Sequence, residues 1–293
     1  YIRKRSIDLI HTHFMDADLL GCLAGLLSRT PVLIHVHSYP FPAAGRHGVR
    51  YRWMSRFAHK LLCVSNRVRQ FVLSRTGIPA GKCEVLYNGI EVSNRFGEKS
   101  EETKRALKRS LGIDEGSVVV GNVSRLIPDK GHEFLLEAAA EVVKELPQTK
   151  FLIVGDVILK KELTAMEERL DLARYVVFAG LRQDVPELLS IMDVFVFPTF
   201  REAMGIAVLE AMAAGKPVIA SDDAALPELV EDDKEGILIH PGDSRAIAQS
   251  ILRLLREPQT RNRMGAAARE KVKRFTDDAM IEKLERLYAE AVR

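Results

Sequence analysis

Short apolar runs alternate with helix-like segments along most of the 293-residue chain, and this alternation constrains the fold more than any other feature. Four apolar runs lie within residues 1–95 and six within 116–275. Strands that alternate with helices form a parallel sheet with right-handed crossovers. Residues 96–115 are polar and charged, with one helix pattern, and interrupt the alternation. We therefore predict two α/β domains joined by a connection at 96–115, and a final helix at 276–293.

The two predicted domains differ in charge. Residues 1–95 contain 14 Lys and Arg against 5 Asp and Glu, whereas the remainder contains 29 against 35. A basic domain attached to a mildly acidic one indicates an anionic partner for the first. The three cysteines are widely spaced and lack a C-x-x-C pattern, which argues against a disulfide framework and fits a reducing cytosol.

The stretch 193–221 predicts a strand, a loop, a helix and a second strand. Its helix pattern runs from Gly205 to Ala214 and is apolar on nearly every side, yet it contains Glu210. A carboxylate buried without a partner is costly, so we expect Glu210 to be protonated, paired or bound to a ligand. Glu202 lies in the loop that leads into the same helix. Two carboxylates around a helix start predict a site there.

A second loop of this kind follows the strand that ends at Val123. Arg125 and Lys130 flank a proline turn before Gly131 opens a helix. Arg grips phosphate oxygens in pairs and Lys adds a point charge, so the loop is suited to a diphosphate, although two solvated loop cations would give the same pattern. The G-x-G-x-x-G signature of dinucleotide sites is absent, which argues against NAD.

Ligands of open parallel sheets lie at the carboxyl ends of the strands, where both loops are expected. The free amides at the start of the 205–214 helix form an anion site. Glu202 and Glu210 cannot bind phosphate but accept hydrogen bonds from sugar hydroxyls. Together these features describe a sugar-nucleotide site. The alternative is a capped helix that carries one satisfied Glu.

The residues resemble those of the family-4 retaining glycosyltransferases of GT-B fold, also called glycosyl transferases group 1. Glu202 and Glu210 have the family's Glu–seven residues–Glu spacing, followed by AMAAGKPVIAS. The resemblance extends over essentially the whole chain, through GNVSRLIPDKG, VVFAGLRQDVPELL, KLLCVSNRVRQFV, VLYNGIEV and GILIHPGD.

The resemblance implies two Rossmann-like domains facing across a cleft, with the first incomplete at its N-terminus. The C-terminal domain would bind the donor and the N-terminal domain the acceptor, and the last helix would cross back to the first domain. Arg125 and Lys130 would bind the donor diphosphate, and Glu202 would contact the transferred sugar. Amides of Gly205 and Ile206 would bind phosphate.

The resemblance also implies that Glu210 holds the donor ribose. His37 matches the family's N-domain histidine near the reacting sugar, so the implied catalytic set is His37, Arg125, Lys130 and Glu202.

Two His-x-His pairs, His11 with His13 and His35 with His37, raise the hypothesis of a metal site. We expect no metal, because no carboxylate or thiolate completes a ligand set. His11 and His35 are better explained as core or supporting histidines, and His13 as a residue that lines the cleft.

The segment 46–60 combines basic and aromatic side chains. Such a helix is suited to an anionic membrane surface, although an amphipathic helix with a solvated basic face explains the pattern equally well. Nucleic-acid binding is the weakest hypothesis, since no binding motif accompanies the charge.

We therefore predict a retaining hexosyltransferase that uses a nucleotide-diphosphate sugar and a glycan or lipid-linked acceptor, in cell-envelope polysaccharide or glycolipid biosynthesis. It would need no cofactor and would act in the cytoplasm, at the inner face of the membrane. The main alternative is a nucleotide-sugar-binding fragment or pseudoenzyme without transfer activity. The Glu pair argues against a third hypothesis, a sugar-nucleotide epimerase of similar fold.

Overall fold

The computed structural model describes residues 1–39, 47–92, 94–156 and 159–292. The chain forms two compact units. Unit 1 consists of Tyr1–Gly89 and Phe275–Arg293, and unit 2 consists of Ile90–Arg274.

The predicted connection at 96–115 lies inside unit 2. Its helix, α4 (Glu101–Ser110), begins at a Ser100 cap and is followed by Ile113, which is only 2% exposed. The Lys108 ammonium donates to the main-chain oxygens of Glu115 and Ser117, at 3.0 and 2.8 Å. A charged segment thus becomes part of the unit because Ile113 is buried and Lys108 binds backbone carbonyls.

Unit 1 contains a four-stranded parallel sheet in the order β1-β2-β3-β4. Its strands are β1 (Ile10–His13), β2 (Val32–Val36), β3 (Lys60–Cys63) and β4 (Cys83–Val85). Its α-helices are α1 (Met15–Ser28), α2 (His47–Met54), α3 (Asn66–Thr76) and α12 (Asp277–Ala291).

The two faces of this sheet are covered by different helices. On one face α1 packs closely, because a Cβ added at Gly21 or Gly25 would lie 2.3 Å from a methyl of Thr12 or Val32. On the other face, α12 completes an apolar cluster. The buried members of that cluster are Leu33, Leu62, Leu86, Leu287 and Ala291. The last helix of the chain therefore supplies part of the core beneath the first strands.

Unit 2 contains a six-stranded parallel sheet in the order β10-β9-β8-β5-β6-β7. Its strands are β5 (Val118–Val123), β6 (Thr149–Val154), β7 (Val176–Gly180), β8 (Val194–Phe197), β9 (Val218–Ser221) and β10 (Gly236–Ile239). The α-helices besides α4 are α5 (His132–Glu145), α6 (Lys160–Arg169), α7 (Val185–Ser190), α8 (Ile206–Ala213), α9 (Leu226–Leu229), α10 (Ser244–Arg256) and α11 (Pro258–Lys271).

The strand order of unit 2 reverses at its centre. From β5 the chain proceeds outward to β6 and β7, then returns to β8 on the other side of β5 and proceeds outward again. Loops that leave the carboxyl ends of β5 and β8 diverge to opposite sides, which opens a crevice in sheets of this kind. Both predicted site loops leave these two strands.

Candidate functional site

Backbone contacts bring the loops after β5 and β8 together. The Thr199 hydroxyl and the Phe200 amide both donate to the main-chain oxygen of Asp129, at 2.7 and 2.8 Å. Phe200 lies three residues after the end of β8, and Asp129 lies in the turn of 3-10 helix Pro128–Lys130. Two segments 70 residues apart in sequence are thereby held in register at the switch point.

An ion pair joins the two loops. The Lys130 ammonium lies 2.7 Å from one carboxylate oxygen of Glu202, and Lys130 is only 9% exposed. The other oxygen of Glu202 accepts hydrogen bonds from the amides of Ala203 and Met204, at 3.0 and 3.2 Å. Both oxygens of the carboxylate are therefore oriented by fixed donors. The ammonium also lies 5.1 Å from the ring centroid of Phe197, within cation–π range.

Two helices at this edge begin after a glycine and have no side-chain cap. Gly131 precedes α5 with a φ of 65°, and Gly205 precedes α8 with a φ of 90°. Gly131 also has no room for a side chain, since a Cβ would lie 2.2 Å from the main-chain oxygen of Pro198. By contrast, Asp243 caps α10 through its side chain. The uncapped start of α8 leaves amide donors and a partial positive charge for an anion.

Arg125 and Glu210 were also predicted to bind the sugar-nucleotide donor, and they differ in exposure. Arg125 follows β5 directly, is exposed, and makes no ion pair with any residue that the structure describes. Glu210 lies on α8 and is half-buried. Burial raises the pKa of the Glu210 carboxyl, and the charge of Arg95 offsets part of the rise.

His132 is a residue at this edge that the motif analysis overlooked. It is 1% exposed at the start of α5, and its Nε2 lies 3.0 Å from the Ser124 hydroxyl. Ser124 donates to the Asn122 side chain, which in turn donates to the main-chain oxygen of Val196, tying β5 to β8. Burial, followed by the charge of Lys130, lowers the pKa of His132 to about 4. Its position directly after the conspicuous Lys130-Gly131 pair was the available signal.

In unit 1, His37 follows β2 directly and is half-buried, while His13 ends β1 and is exposed. The His13 Nδ1 lies 2.7 Å from the His37 Nε2. Burial, followed by the charge of His13, lowers the pKa of His37. Burial lowers the pKa of neighbouring His35 to about 2. Two of the predicted residues are therefore direct neighbours.

The segment 46–60 is partly described, and Arg46 lies outside the described residues. In α2, Tyr51 is 2% exposed and donates a 3.2 Å hydrogen bond to Asp18, so it belongs to the core. Trp53 is 38% exposed. The exposed cations of the segment are Arg50, Arg52 and Arg56. No helix within the described ranges has both the length and the hydrophobicity needed to cross a bilayer.

Comparison with known proteins matches both parts of the chain to families. Residues 103–271 match the family model described as glycosyl transferases group 1. Residues 1–94 match that of glycosyltransferase family 4.

Individual relatives span nearly the whole chain. UDP-Gal:alpha-D-GlcNAc-diphosphoundecaprenol alpha-1,3-galactosyltransferase from Escherichia coli is 30% identical over 99% of this chain and 77% of its own length. N-acetyl-alpha-D-glucosaminyl L-malate synthase from Bacillus anthracis is 28% identical, over 99% of this chain and 77% of its own.

Among solved structures, Anabaena HepE in complex with UDP and glucose superposes with a TM-score of 0.90 at 28% identity. The match covers 98% of this chain and 79% of HepE. The two parallel sheets thus have the GT-B architecture, as expected. The group 1 match covers more than half of the chain, and the Escherichia coli relative is 30% identical, so the chain belongs to the group 1 glycosyltransferases.

Proposed function

We propose that this glycosyltransferase moves a hexose-type sugar, with retention of configuration, from a nucleotide-diphosphate sugar to a glycan or lipid-linked acceptor. The Escherichia coli relative is named for a UDP-sugar donor and a diphosphoundecaprenol acceptor, and HepE was solved with UDP and glucose. These names support a role in polysaccharide or glycolipid synthesis. The base and the hexose are part of the test.

One observation carries the proposal for the donor: the Lys130–Glu202 pair lies at the switch point, one short turn before the uncapped start of α8. The ammonium has three donors and uses one on Glu202, so two remain for a diphosphate. The amides of Gly205 and Ile206 and the unpaired guanidinium of Arg125 supply further donors. Cations and amides can therefore bind the phosphates, and carboxylates can accept hydrogen bonds from the sugar hydroxyls.

The proposed chemistry is electrostatic. As the bond between the sugar and the diphosphate breaks, its electron pair moves to the departing phosphate oxygen, where negative charge develops. Fixed donors of Arg125, Lys130 and α8 stabilise that charge, and such donors act most strongly where water is excluded. The acceptor hydroxyl approaches from the face of the departing group. Its oxygen forms the new bond to the anomeric carbon, and its proton passes to the departing phosphate oxygen. The step needs no protein nucleophile and no metal.

The carboxylates have positioning roles in this scheme. Glu202, whose two oxygens are held by Lys130 and by two amides, retains lone pairs for hydroxyls of the transferred sugar. Glu210, one turn into α8, is assigned to the ribose. The catalytic role of His37, in unit 1, rests on the family resemblance, as does the assignment of the acceptor to that unit.

The decisive experiment measures donor binding and transfer on the same purified protein. A panel of UDP-, GDP- and ADP-sugars is tested by thermal shift, since a ligand selective for the native state raises the melting temperature. Transfer is then followed with the selected donor, and NMR of the product determines whether the anomeric configuration is retained. Lys130→Ala is expected to lower kcat/KM by roughly 10²–10³-fold, whereas Lys161→Ala, an exposed lysine of α6, should match the wild type.

Each outcome separates the hypotheses. Donor binding without transfer to any acceptor would favour the non-catalytic nucleotide-sugar-binding protein. Wild-type rates in both Lys130→Ala and Arg125→Ala would refute the assignment of the diphosphate site. An inverted product would refute retention alone.

We further propose that the protein acts in the cytoplasm and that α2 rests on an anionic membrane surface. The exposed Arg50, Arg52 and Arg56 and the partly exposed Trp53 support this proposal, whereas Tyr51 does not contribute. Co-sedimentation should be stronger with anionic than with zwitterionic vesicles and weaker after Arg50→Glu with Arg52→Glu. Equal binding to both vesicle types would contradict it.

A further inference from the structure

Four histidines of unit 1 gather on one face of its sheet: His11, His13, His35 and His37. Residues two apart on a strand share a face, and the parallel register sets His13 opposite His35. The ring centroids of the neighbouring pairs lie 4.0 to 5.4 Å apart. The face is the one that α12 covers, since the Tyr288 hydroxyl lies 2.7 Å from the His11 Nδ1.

Several ring nitrogens of this histidine cluster are buried without a hydrogen-bond partner among the described residues. They are the Nε2 of His11 and both ring nitrogens of His35, which is 4% exposed. Buried polar atoms are almost always paired, so a group of orphaned nitrogens on adjacent strands needs an explanation. Ordinary core packing would bury carbon at these positions, as the adjacent Leu33 does.

We propose that His11, His13 and His35 form a binding site for a divalent transition-metal ion of the zinc class. One nitrogen from each residue can be chosen so that all three lie within 4.8 Å of one another. In a tetrahedral site with Zn–N bonds of about 2.0–2.1 Å, the nitrogens are about 3.4 Å apart. Small side-chain rotations close the difference. Three neutral imidazoles are a complete ligand set for a site with one open position, so no carboxylate or thiolate is needed.

The contacts around the cluster fit this assignment. The Nδ1 of His11 lies at the Tyr288 hydroxyl and the Nδ1 of His13 at the His37 Nε2, both at 2.7 Å, which leaves each Nε2 for the ion. Metal-binding histidines usually donate their other ring N–H to a neighbouring group, which fixes the orientation of the ring. Tyr288 and His37 occupy that place for two of the three ligands, so they are positioning residues of the site.

The proposal goes beyond the transfer reaction, for which no metal is invoked. Because His37 is also assigned to catalysis, an ion on the adjacent His13 would slow transfer, and this consequence alone rests on the proposed function. Binding of the ion is therefore measured without donor or acceptor. Failure of the transfer assay then leaves the metal result unaffected.

The test is calorimetric titration of the tag-free, chelator-treated protein with Zn²⁺, with Mg²⁺ as the hard cation that imidazoles do not bind. One Zn²⁺ per chain is expected. His13→Ala should weaken binding at least ~100-fold, because even partners outside the coordination sphere change metal affinity by about 10–100-fold. His240→Ala, whose side chain is 81% exposed in unit 2, is the matched control and should bind as the wild type does.

A second readout uses Co²⁺, whose tetrahedral complexes absorb visible light far more strongly than octahedral ones. The wild type should show the tetrahedral spectrum and His35→Ala should not. If the buried His35→Ala variant fails to fold, His13→Ala still decides the question, because the His13 side chain is exposed. Zn²⁺ binding that is absent, or equal in wild type and His13→Ala, overturns the proposal.

Discussion

The carboxyl edges of the two sheets use opposite electrostatic arrangements. In unit 2, Lys130 and Glu202 are ionised groups that neutralise each other at 2.7 Å, with further donors to the carboxylate. In unit 1, His11 is a half-buried imidazole and His35 a buried one, and burial lowers their pKa values to about 4 and about 2. The first edge is ordered by its own charges before any ligand arrives. The second edge holds neutral groups with unsatisfied nitrogens. Charged groups therefore orient the side chains at the edge of unit 2, whereas packing orients those at the edge of unit 1.

The strongest test of this comparison removes the charge from one side of the ion pair. In Glu202→Gln, the buried Lys130 loses its countercharge, and under the proposed function the sugar loses an oriented acceptor. We expect kcat/KM to fall by roughly 10²–10³-fold. Steady-state kinetics with a saturating acceptor measure the effect. Glu137→Gln, an exposed position on α5, is the control; a Glu202→Gln enzyme as fast as this control would show that the pair is only structural.

The next test concerns the backbone at Gly131, which precedes α5. Gly131 and Gly77 have nearly the same φ, 65° and 64°, but a Cβ at Gly131 would lie 2.2 Å from a carbonyl oxygen, whereas at Gly77 the nearest atom is 4.0 Å away. We expect Gly131→Ala to lower the free energy of unfolding by roughly 2–4 kcal/mol, from the left-handed backbone and the clash together. Gly77→Ala should cost only about 1–2 kcal/mol. Urea unfolding monitored by circular dichroism compares them; equal losses would mean that the loop relaxes freely.

The third test concerns His132 of unit 2, whose pKa is lowered by burial, as are the pKa values of His11 and His35 in unit 1. His132 has a folded-state pKa of about 4, below its ordinary 6.5, so the unfolded chain binds a proton first as the pH falls. The contribution of neutral His132 to stability is fully present above pH 6.5 and should decline by about 1.4 kcal/mol per pH unit between pH 6.5 and about pH 4. His132→Asn removes this contribution. Urea unfolding at about pH 7.5 and about pH 5.5 should show a smaller difference in the variant than in the wild type; the same difference in both would contradict the assignment.

The smallest expected effect concerns the helix that covers the histidine cluster. Tyr288→Phe removes the hydroxyl at the His11 Nδ1 while keeping the ring. A loss of about 1 kcal/mol is expected from one partly buried hydrogen bond. Trp53, the single tryptophan of the chain, lies in unit 1 and reports its unfolding by fluorescence. Tyr1→Phe, at a position 86% exposed, should have no effect; a Tyr288→Phe midpoint equal to that of this control would show that the hydroxyl contributes nothing.

Much of the architecture could be predicted from local pattern. Runs such as Val194–Phe197 are apolar because both faces of a parallel strand are buried, and glycine and proline mark where helices end. The predicted 205–214 helix was observed at Ile206–Ala213. Four strands in unit 1 and six in unit 2 were also confirmed. The short helix α9 was not predicted, because four residues are too few to show a period.

Long-range pairing could not be predicted from pattern. Lys130 and Glu202 were each recognisable, but their contact spans 72 residues and depends on the order of the strands. The histidine cluster depends in the same way on the register of β1 and β2 and on Tyr288, 277 residues from His11. The expectation that no ligand set was complete considered residue types alone, whereas the orphaned nitrogens are visible only in three dimensions.

The return of α12 to the first sheet has a consequence for biosynthesis. The core that contains Leu33 and Leu62 is closed by Leu287 and Ala291, which are synthesised after the whole of unit 2. Unit 2 intervenes with the whole of Ile90–Arg274. At about 5–20 residues per second, the early strands would wait roughly 10–40 s for their covering helix. Unit 2 is contiguous and can fold during that interval, so unit 1 begins before unit 2 in the chain but is completed after it. A nascent chain therefore exposes the apolar face of β2 and β3 until α12 has been synthesised, and in a crowded cell that face is where a chaperone would be needed.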